Sequence, residues 1–452
     1  MYLVAGLGVT GQSVLQYFAS QGEPCFAYDA RADLDVSALQ IRFPQAEFAT
    51  GRLPSHWCER IETLVLSPGI AKAEPWVQAI LQAGKEVIGD IELFARAAGK
   101  PIVAITGSNG KSTVTTLVGE ALQVGGYRVG VGGNIGRPAL DLLADPTEFD
   151  VYVLELSSFQ LETTYSLHSA ASTVLNICED HMDRYSALED YIQAKMTILN
   201  DTELAVLPDG FQPSGIASPL ETVRFGLKTA QPGQALPSRY YGVMIRNNQA
   251  WLGWEDHPCV AVAVMAQSGR HHQLNALAMM ALCRPFQLPD AAFEKVLRDF
   301  NGLPHRTQLV LEANGVQWIN DSKGTNVGAT ITAMESMALM TEGEVILLAG
   351  GVGKDADFTE LGKAVARFGS QVILFGRDRL QMAAVMPPHQ VSVVATLEAA
   401  IALAATNVRD GDKVLFSPAC ASFDQFENYQ HRGEVFEALV RARFGSDKGG
   451  AE

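Results

Sequence analysis

Short apolar runs that end in glycine turns alternate with helical stretches along the chain. Leu3-Val4-Ala5 runs into Gly6–Gly11 and then into an apolar-periodic stretch from Ser13. Ile102-Val103-Ala104-Ile105 runs into Thr106–Lys111 and a helix from Ser112, and Val345–Ala349 runs into Gly350–Lys354. Further strand-like runs are Cys25–Tyr28, Thr63–Leu66, Val151–Leu156, Thr173–Ile177 and Lys413–Phe416, and Tyr191–Leu199 reads as a helix. Apolar runs of this length between helical patterns predict α/β units with parallel sheets. The three strand–glycine–helix openings are assigned to three separate sheets. Gly89–Lys100 is expected to link the first unit to the second, and Asn301-Gly302-Leu303-Pro304 the second to the third. Gln231–Ser238 reads as a surface loop and Gly445–Glu452 as a frayed tail.

Length agrees with this division, since 452 residues exceed one ordinary core. Hydrophobic residues make up 47% and charged residues 19%, the balance of a water-soluble globular chain. The formal net charge is -16, and no Lys/Arg run relieves it. Such a field repels nucleic acid and anionic membranes, so neither is expected as a partner. The six scattered cysteines form no Cys-x-x-Cys pair, which reads as a reduced, cytoplasmic chain. Met1–Gly6 has no basic leader, and no apolar run approaches the ~18 residues of a membrane span.

Thr106-Gly107-Ser108-Asn109-Gly110-Lys111-Ser112-Thr113 carries the most specific chemistry. Glycines let backbone N–H groups face phosphate oxygens, and the helix that follows points its positive end at the same anion. Lys111 is placed to reach the β/γ-phosphates of ATP and Ser112 to ligate Mg²⁺. The loop is a shortened variant, because Ile105 stands where the common loop has its first glycine. Glu155 is the one carboxylate in an apolar strand. A salt bridge or a bound cation answers its burial cost, and the nearby phosphate loop favours Mg²⁺. His181 follows the run Thr173–Ile177 and reads equally as a surface histidine or a ligand. Nothing in local pattern singles out Lys195.

Gly6-Leu7-Gly8-Val9-Thr10-Gly11, with Asp29 about twenty residues on, matches a dinucleotide fingerprint and makes an NAD-dependent oxidoreductase a rival. The physics accepts any diphosphate, a UDP-sugar included. Ser67-Pro68-Gly69-Ile70 is either a wall of that cleft or a plain strand-end turn. In the last third, Asn320–Asn326, Gly350–Asp355 and Ser417–Phe426 place polar groups at several strand ends, where open α/β sheets bind ligands. Lys354 is followed by Asp355, so this is no second ATP loop, though it suits a carboxylate.

Taken together, the chain resembles the Mur ligase family. The resemblance spans its whole length and rests on the loop Thr106–Thr113, Gly6–Gly11, Ser67–Ile70, Gly132-Gly133-Asn134-Ile135-Gly136, Leu154–Gln160, Asn320–Asn326 and Ser417–Phe426 continuing to His431-Arg432-Gly433. It implies an α/β fold of three domains: a Rossmann-like N-terminal domain (1–90) that binds UDP, a central P-loop ATPase-like parallel-sheet domain (91–302) that binds ATP, and a Rossmann-like C-terminal domain (303–452) that brings the amino acid and closes over both. It implies ATP-dependent ligation of D-glutamate to UDP-N-acetylmuramoyl-L-alanine through an acyl phosphate in peptidoglycan precursor synthesis, by a monomeric cytoplasmic enzyme.

Residue by residue, the resemblance assigns Val9, Thr10, Asp29, Arg31 and Gly69 to the UDP end, and Asn134 and His181 to substrate contacts. Gly107, Ser108, Asn109, Gly110, Lys111, Ser112, Thr113, Asn275, His305, Arg306, Asp321 and Lys323 fall to ATP. Ser112, Glu155, His181 and Lys195 fall to two Mg²⁺ sites, with Lys195 carbamylated, and Lys111, Glu155, His181 and Lys195 form the catalytic set. Thr325, Lys354, Ser422, Phe423 and Tyr429 fall to D-glutamate. The sequence departs from the family at Ala30, where a hydroxyl is expected, and at Tyr429, often Phe. Two anions must meet in such a reaction, so charge neutralisation by Lys111, Mg²⁺ and Arg306 dominates the barrier. The sequence names no general base.

Overall fold

The computed structural model describes residues 1–213, 221–338, 341, 343–368 and 371–444, so the tail expected to fray lies outside the described residues. Three sheets are present among the described residues. The first holds β1 (Tyr2–Ala5), β2 (Cys25–Asp29), β3 (Ala46–Thr50), β4 (Thr63–Leu66) and β5 (Glu86–Ile88), all parallel, in the order β3-β2-β1-β4-β5. The direction of winding reverses between β1 and β4, so the carboxyl end of β1 is the switch point where such sheets bind ligands. Gly6–Gly11 begins there.

The second sheet has nine strands: β6 (Ile102–Thr106), β7 (Val129–Gly133), β8 (Val151–Glu155), β9 (Ala171–Val174), β10 (Leu204–Pro208), β11 (Glu221–Ala230), β12 (Tyr240–Arg246), β13 (Gln249–Trp254) and β14 (His257–Ala261). Their order is β14-β13-β12-β11-β10-β9-β6-β8-β7, which puts the phosphate-loop strand β6 between β9 and β8. The third sheet holds β15 (Gln308–Ala313), β16 (Val316–Asn320), β17 (Val345–Gly350), β18 (Gln371–Phe375), β19 (Val391–Val393) and β20 (Lys413–Phe416), in the order β15-β16-β20-β17-β18-β19.

The second and third sheets are parallel, as expected, except at one edge of each. β12–β13, β13–β14 and β15–β16 pair antiparallel. Two of these hairpins turn on residue pairs with both φ angles positive, Asn247 (+49°) with Asn248 (+60°) and Asn314 (+52°) with Gly315 (+71°). Two-residue turns of this hand match the twist of the flanking strands, and Asn and Gly tolerate the left-handed region best. The run expected over Thr173–Ile177 is a strand only over Ala171–Val174. Beyond it the chain runs from the end of β6 along the phosphate loop: Leu175 N–H donates to Thr106 O at 2.9 Å, and Ser108 N–H donates to Asn176 O at 2.9 Å.

Two compact units emerge from the packing. One contains the first two sheets, built from Met1–Ile177, Glu189–Ala266 and Gln273–Asp299. The other contains the third sheet from Phe300 onward, together with Cys178–Leu188 and Gln267–His272, two segments that the sequence reading placed in the central domain.

The segment 89–100, expected to link the first unit to the second, contains the helix Asp90–Ala97, with Ile91, Leu93 and Phe94 in the core. It joins the first two sheets through polar contacts as well. Glu92 accepts from the N–H groups of Tyr165 and Ser166 and from the Ser166 hydroxyl, and Gln160 donates to Asp90 Oδ2 at 3.3 Å. Burial pushes the Asp90 carboxyl up to about 6, against the pull of the Gln160 amide. The native state therefore keeps a proton that the unfolded chain gives up, and stability falls as pH rises from about 4 to about 6, by about 3 kcal/mol. Asp90→Asn retains the hydrogen bond without the charge. It is expected to raise the melting temperature by several degrees at pH 7.5 and by about a third as much at pH 4.5. An equal change at both pH values would contradict the assignment.

Candidate active site

The loop between β6 and the helix Lys111–Val124 has the shape its glycines dictate. Gly107 and Gly110 sit at φ +149° and +82°. A Cβ on Gly107 would lie 3.1 Å from the Leu175 side chain, and one on Gly110 would lie 3.0 Å from Asn275 Oδ1. Asn275, on the helix Arg270–Leu282, is thus against the loop. Ser112 and Thr113 are buried in the first turn.

Two ammonium groups converge on one carbonyl. Lys111 Nζ donates to Gly107 O at 2.8 Å and to Ser108 O at 2.9 Å. Lys195 Nζ donates to Gly107 O at 3.0 Å, on the face of the Tyr191 ring at 4.6 Å. Lys195 is only 2% exposed, on the helix Leu188–Met196, and the Tyr191 hydroxyl one turn earlier is 3.0 Å from Ser108 Oγ. A buried and a half-buried cation beside a cradle of backbone N–H groups suit a polyphosphate.

Asn176, which the sequence reading missed, locks the loop from the other side. Its Oδ1 accepts from Asn109 N–H at 2.8 Å, and its Nδ2 donates to Asn109 O at 3.0 Å. An asparagine just past a strand end carries no signal of its own in the sequence, since that position is an ordinary turn position.

Glu155 ends β8, buried at 3% exposure and in register with Ile105 on β6 and Gly133 on β7. Asn134 holds it twice: Asn134 N–H donates to Glu155 O at 2.8 Å, and Asn134 Nδ2 donates to Glu155 Oε1 at 2.7 Å. Gly133 makes this possible, because a Cβ there would meet Glu155 O at 2.4 Å. The residues that follow are structural. Ser157 and Gln160 form a reciprocal capping box on the short helix Ser158–Leu161. A carboxylate and the Ser112 hydroxyl are hard oxygen donors, the set that Mg²⁺ prefers. Lys195 as an ammonium does not fit a cation's ligand. A carbamate on the same nitrogen would fit, and its N–H retains the donation to Gly107 O.

In the first sheet, Gly6 is at φ +88°, and a Cβ on Gly11 would meet Gly6 O at 1.8 Å. Gly8, by contrast, faces open space, as does Gly69 in the turn that ends on Ile70. A glycine with nothing against it leaves room for a ligand's close approach. Val9 and Arg31 are exposed beside them. Thr10 is half-buried in the helix Val9–Gln21. Ser67 lies against Gly6, so the Ser67–Ile70 turn walls this loop. Asp29 accepts from Leu7 N–H at 2.9 Å and from the Arg31 guanidinium at 2.8 Å to each oxygen, which holds its carboxyl well below the usual range. Both oxygens thereby hold the loop and Arg31 in place.

The second unit gathers the remaining residues at strand ends of the third sheet. Asp321, after β16, accepts from Thr307 N–H at 3.0 Å and from Ser417 Oγ at 2.7 Å, and burial pushes its carboxyl up to about 6. Arg306 lowers it by charge. His305 Nδ1 is 2.9 Å from Asn320 Nδ2 and packs under Gly433, where a Cβ would come within 2.4 Å of it. Lys323 stacks on the Tyr429 ring at 3.9 Å, and His305 meets that ring edge-on. Tyr429 is therefore grouped with His305 and Lys323.

Arg432, fully buried, ties two loops together by donating to Ser322 Oγ, Ser322 O and Cys420 O. Lys354, at φ +54°, reaches Asp180 Oδ1 at 3.1 Å, and Asn326 Nδ2 donates to Asp180 Oδ2 at 3.3 Å. His181, at φ +59°, donates its backbone N–H to Asp180 Oδ1 and belongs to this unit. Ser422 is buried, Thr325 half-buried and Phe423 71% exposed.

Three family models match the chain: the Mur ligase MurD-like N-terminal domain over residues 1–89, the Mur ligase middle domain over 105–283, and the Mur ligase glutamate ligase domain over 305–420. The chain belongs to the Mur ligase family. Among the relatives of this Mur ligase, the UDP-N-acetylmuramoylalanine--D-glutamate ligase of Hydrogenovibrio crunogenus is 68% identical over 450 residues, covering 100% of both chains. The ligase of the same name from Escherichia coli K12 is 44% identical over 443 residues, covering 97% of each. The crystal structure of MurF ligase from Thermotoga maritima in complex with ADP has the same fold, with a TM-score of 0.61 at 16% identity, over 98% of this chain and 95% of that one. The three α/β domains and the ATP-dependent ligase class expected from the sequence hold. Among the described residues, no helix of this Mur ligase is long and apolar enough to cross a membrane.

Proposed function

We propose that the chain joins D-glutamate to UDP-N-acetylmuramoyl-L-alanine at the expense of ATP, in peptidoglycan precursor synthesis. The observation that carries this reading is the 68% identity, over the full length, to a protein named for that reaction. The paired lysines on the Gly107 carbonyl and the fixed Glu155 supply the chemistry it needs.

A carboxylate oxygen of the L-alanyl group attacks the γ-phosphorus of ATP. ADP leaves, and a mixed anhydride of carboxylate and phosphate remains. The amine of D-glutamate then attacks the activated carbon, inorganic phosphate departs with the bonding electrons, and the amine's proton passes to solvent or a base. The N–H groups of Gly107–Ser112 and the Lys111 ammonium hold the phosphates in line and neutralise them. Arg306 adds charge on the nucleotide side with Asn275, His305, Asp321 and Lys323. Val9, Thr10, Asp29, Arg31 and Gly69 receive the UDP end, and Asn134 and His181 the sugar-peptide end. Thr325, Lys354, Ser422, Phe423 and Tyr429 receive D-glutamate.

Ser112, Glu155, His181 and a carbamylated Lys195 would hold Mg²⁺, which supplies neutralisation of charge on the phosphates. Domain boundaries near residues 90 and 302, a cytoplasmic location and a monomeric state complete the reading. The test is ADP release with UDP-N-acetylmuramoyl-L-alanine across a panel of amino acids. Turnover with D-glutamate should exceed every other by orders of magnitude, and a flat panel would overturn the substrate assignment.

A further inference from the structure

The outer edge of the nine-stranded sheet carries a second cluster of chemistry-bearing side chains. His257 and Cys259 lie on β14, where the ladder with β13 is bulged between Pro258 and Val260. Asp290 opens the helix Asp290–Asp299, which packs on β14 and on the helix Lys111–Val124. His257 Nε2 is 2.7 Å from Asp290 Oδ2, and one donor atom from each of the three residues lies within 4.8 Å of the others. None of them belongs to the site described above.

We propose that His257, Cys259 and Asp290 bind a zinc-class divalent cation, with water completing the shell. Imidazole, thiolate and carboxylate together form a donor set that zinc accepts and that Mg²⁺ and Ca²⁺ do not seek. An ion pair between His257 and Asp290 has no need of a sulfur, yet Cys259 lies half-buried beside them. Zinc–ligand bonds of about 2.0–2.3 Å put ligand atoms about 3.5 Å apart. Closing 4.8 Å to that spacing takes about an ångström of side-chain rotation, which the exposed His257 is free to make. The thiol proton leaves to solvent as sulfur binds.

The ion would pin an edge strand to a helix about thirty residues further along the chain. Among the described residues β14 pairs on one side only, and such edges need cover. The site is therefore a structural staple beneath the helix that carries the phosphate loop.

Cobalt(II) titration of the full-length, metal-stripped protein tests this. Wild type should develop a thiolate-to-cobalt charge-transfer band in the near ultraviolet, and zinc should abolish it and raise the melting temperature. Cys259→Ser should lose the band, His257→Ala should weaken binding at least tenfold, and Cys58→Ser should behave as wild type. Ligase turnover should be unchanged in all three variants. No band in wild type, a band that survives in Cys259→Ser, or undiminished affinity in His257→Ala would each overturn the proposal. The last holds even where Cys259→Ser fails to fold.

Discussion

Lys195→Ala is expected to lower the rate of phosphate release by about a thousandfold, the scale of removing a preorganised charge from a transition state. Short carboxylates such as acetate or formate should restore part of it. The reasoning starts from burial: at 2% exposure, with its ammonium 3.0 Å from Gly107 O, Lys195 sits beside Lys111 on one carbonyl. If it acts as an ammonium, its loss removes a cation, and an added anion makes matters worse. If it acts as a carbamate, its loss removes an anion, and a small carboxylate refills the place. The sign of the carboxylate effect therefore separates the two. Undiminished turnover in Lys195→Ala, or further inhibition by acetate, would contradict the carbamate.

Glu155→Gln should cost about 10²- to 10³-fold in turnover and raise the Mg²⁺ concentration needed for half-maximal rate. The substitution is chosen to leave the fold alone. Asn134 Nδ2 donates to Glu155 Oε1, and a glutamine carbonyl accepts that bond equally well. The backbone bond from Asn134 N–H to Glu155 O is untouched. What changes is one negative charge. Asn134→Ala should show a smaller loss with the same sign, because it frees the carboxylate without removing it. A Glu155→Gln enzyme with normal turnover and an unaltered Mg²⁺ requirement would show that the carboxylate is structural.

The strand-and-glycine pattern was legible because each apolar run is short, bounded and followed by residues that tolerate positive φ. β4 and β20 fall on the runs Thr63–Leu66 and Lys413–Phe416. The hairpin at Asn314-Gly315 was equally available from the sequence, since Asn-Gly is a strong turn pair, and reading every sheet as parallel passed over it. The helix Asp90–Ala97 was hidden by the glycines and lysine at its ends, although its apolar face packs into the core.

At the site, the phosphate loop announced itself through spacing alone. Asn176 did not, because its role arises from two hydrogen bonds to Asn109, sixty-seven residues away. The Asp180–Lys354 pair spans 174 residues and is likewise invisible to local pattern. So is the grouping of Tyr429 with Lys323, which depends on where the helix Tyr429–Phe444 begins in space. Arg432 follows the motif Ser417–Phe426 closely in sequence, yet only its complete burial and three bonds to Ser322 and Cys420 explain why an arginine is there.

The central claim is that the loop Thr106–Thr113 serves carboxylate activation. Oxygen transfer tests it most directly. UDP-N-acetylmuramoyl-L-alanine carrying ¹⁸O in its terminal carboxylate is turned over with ATP and D-glutamate, and the inorganic phosphate is weighed by mass spectrometry. An acyl phosphate predicts one ¹⁸O from the carboxylate in each phosphate released. Phosphate free of ¹⁸O, at full product yield, would contradict the account.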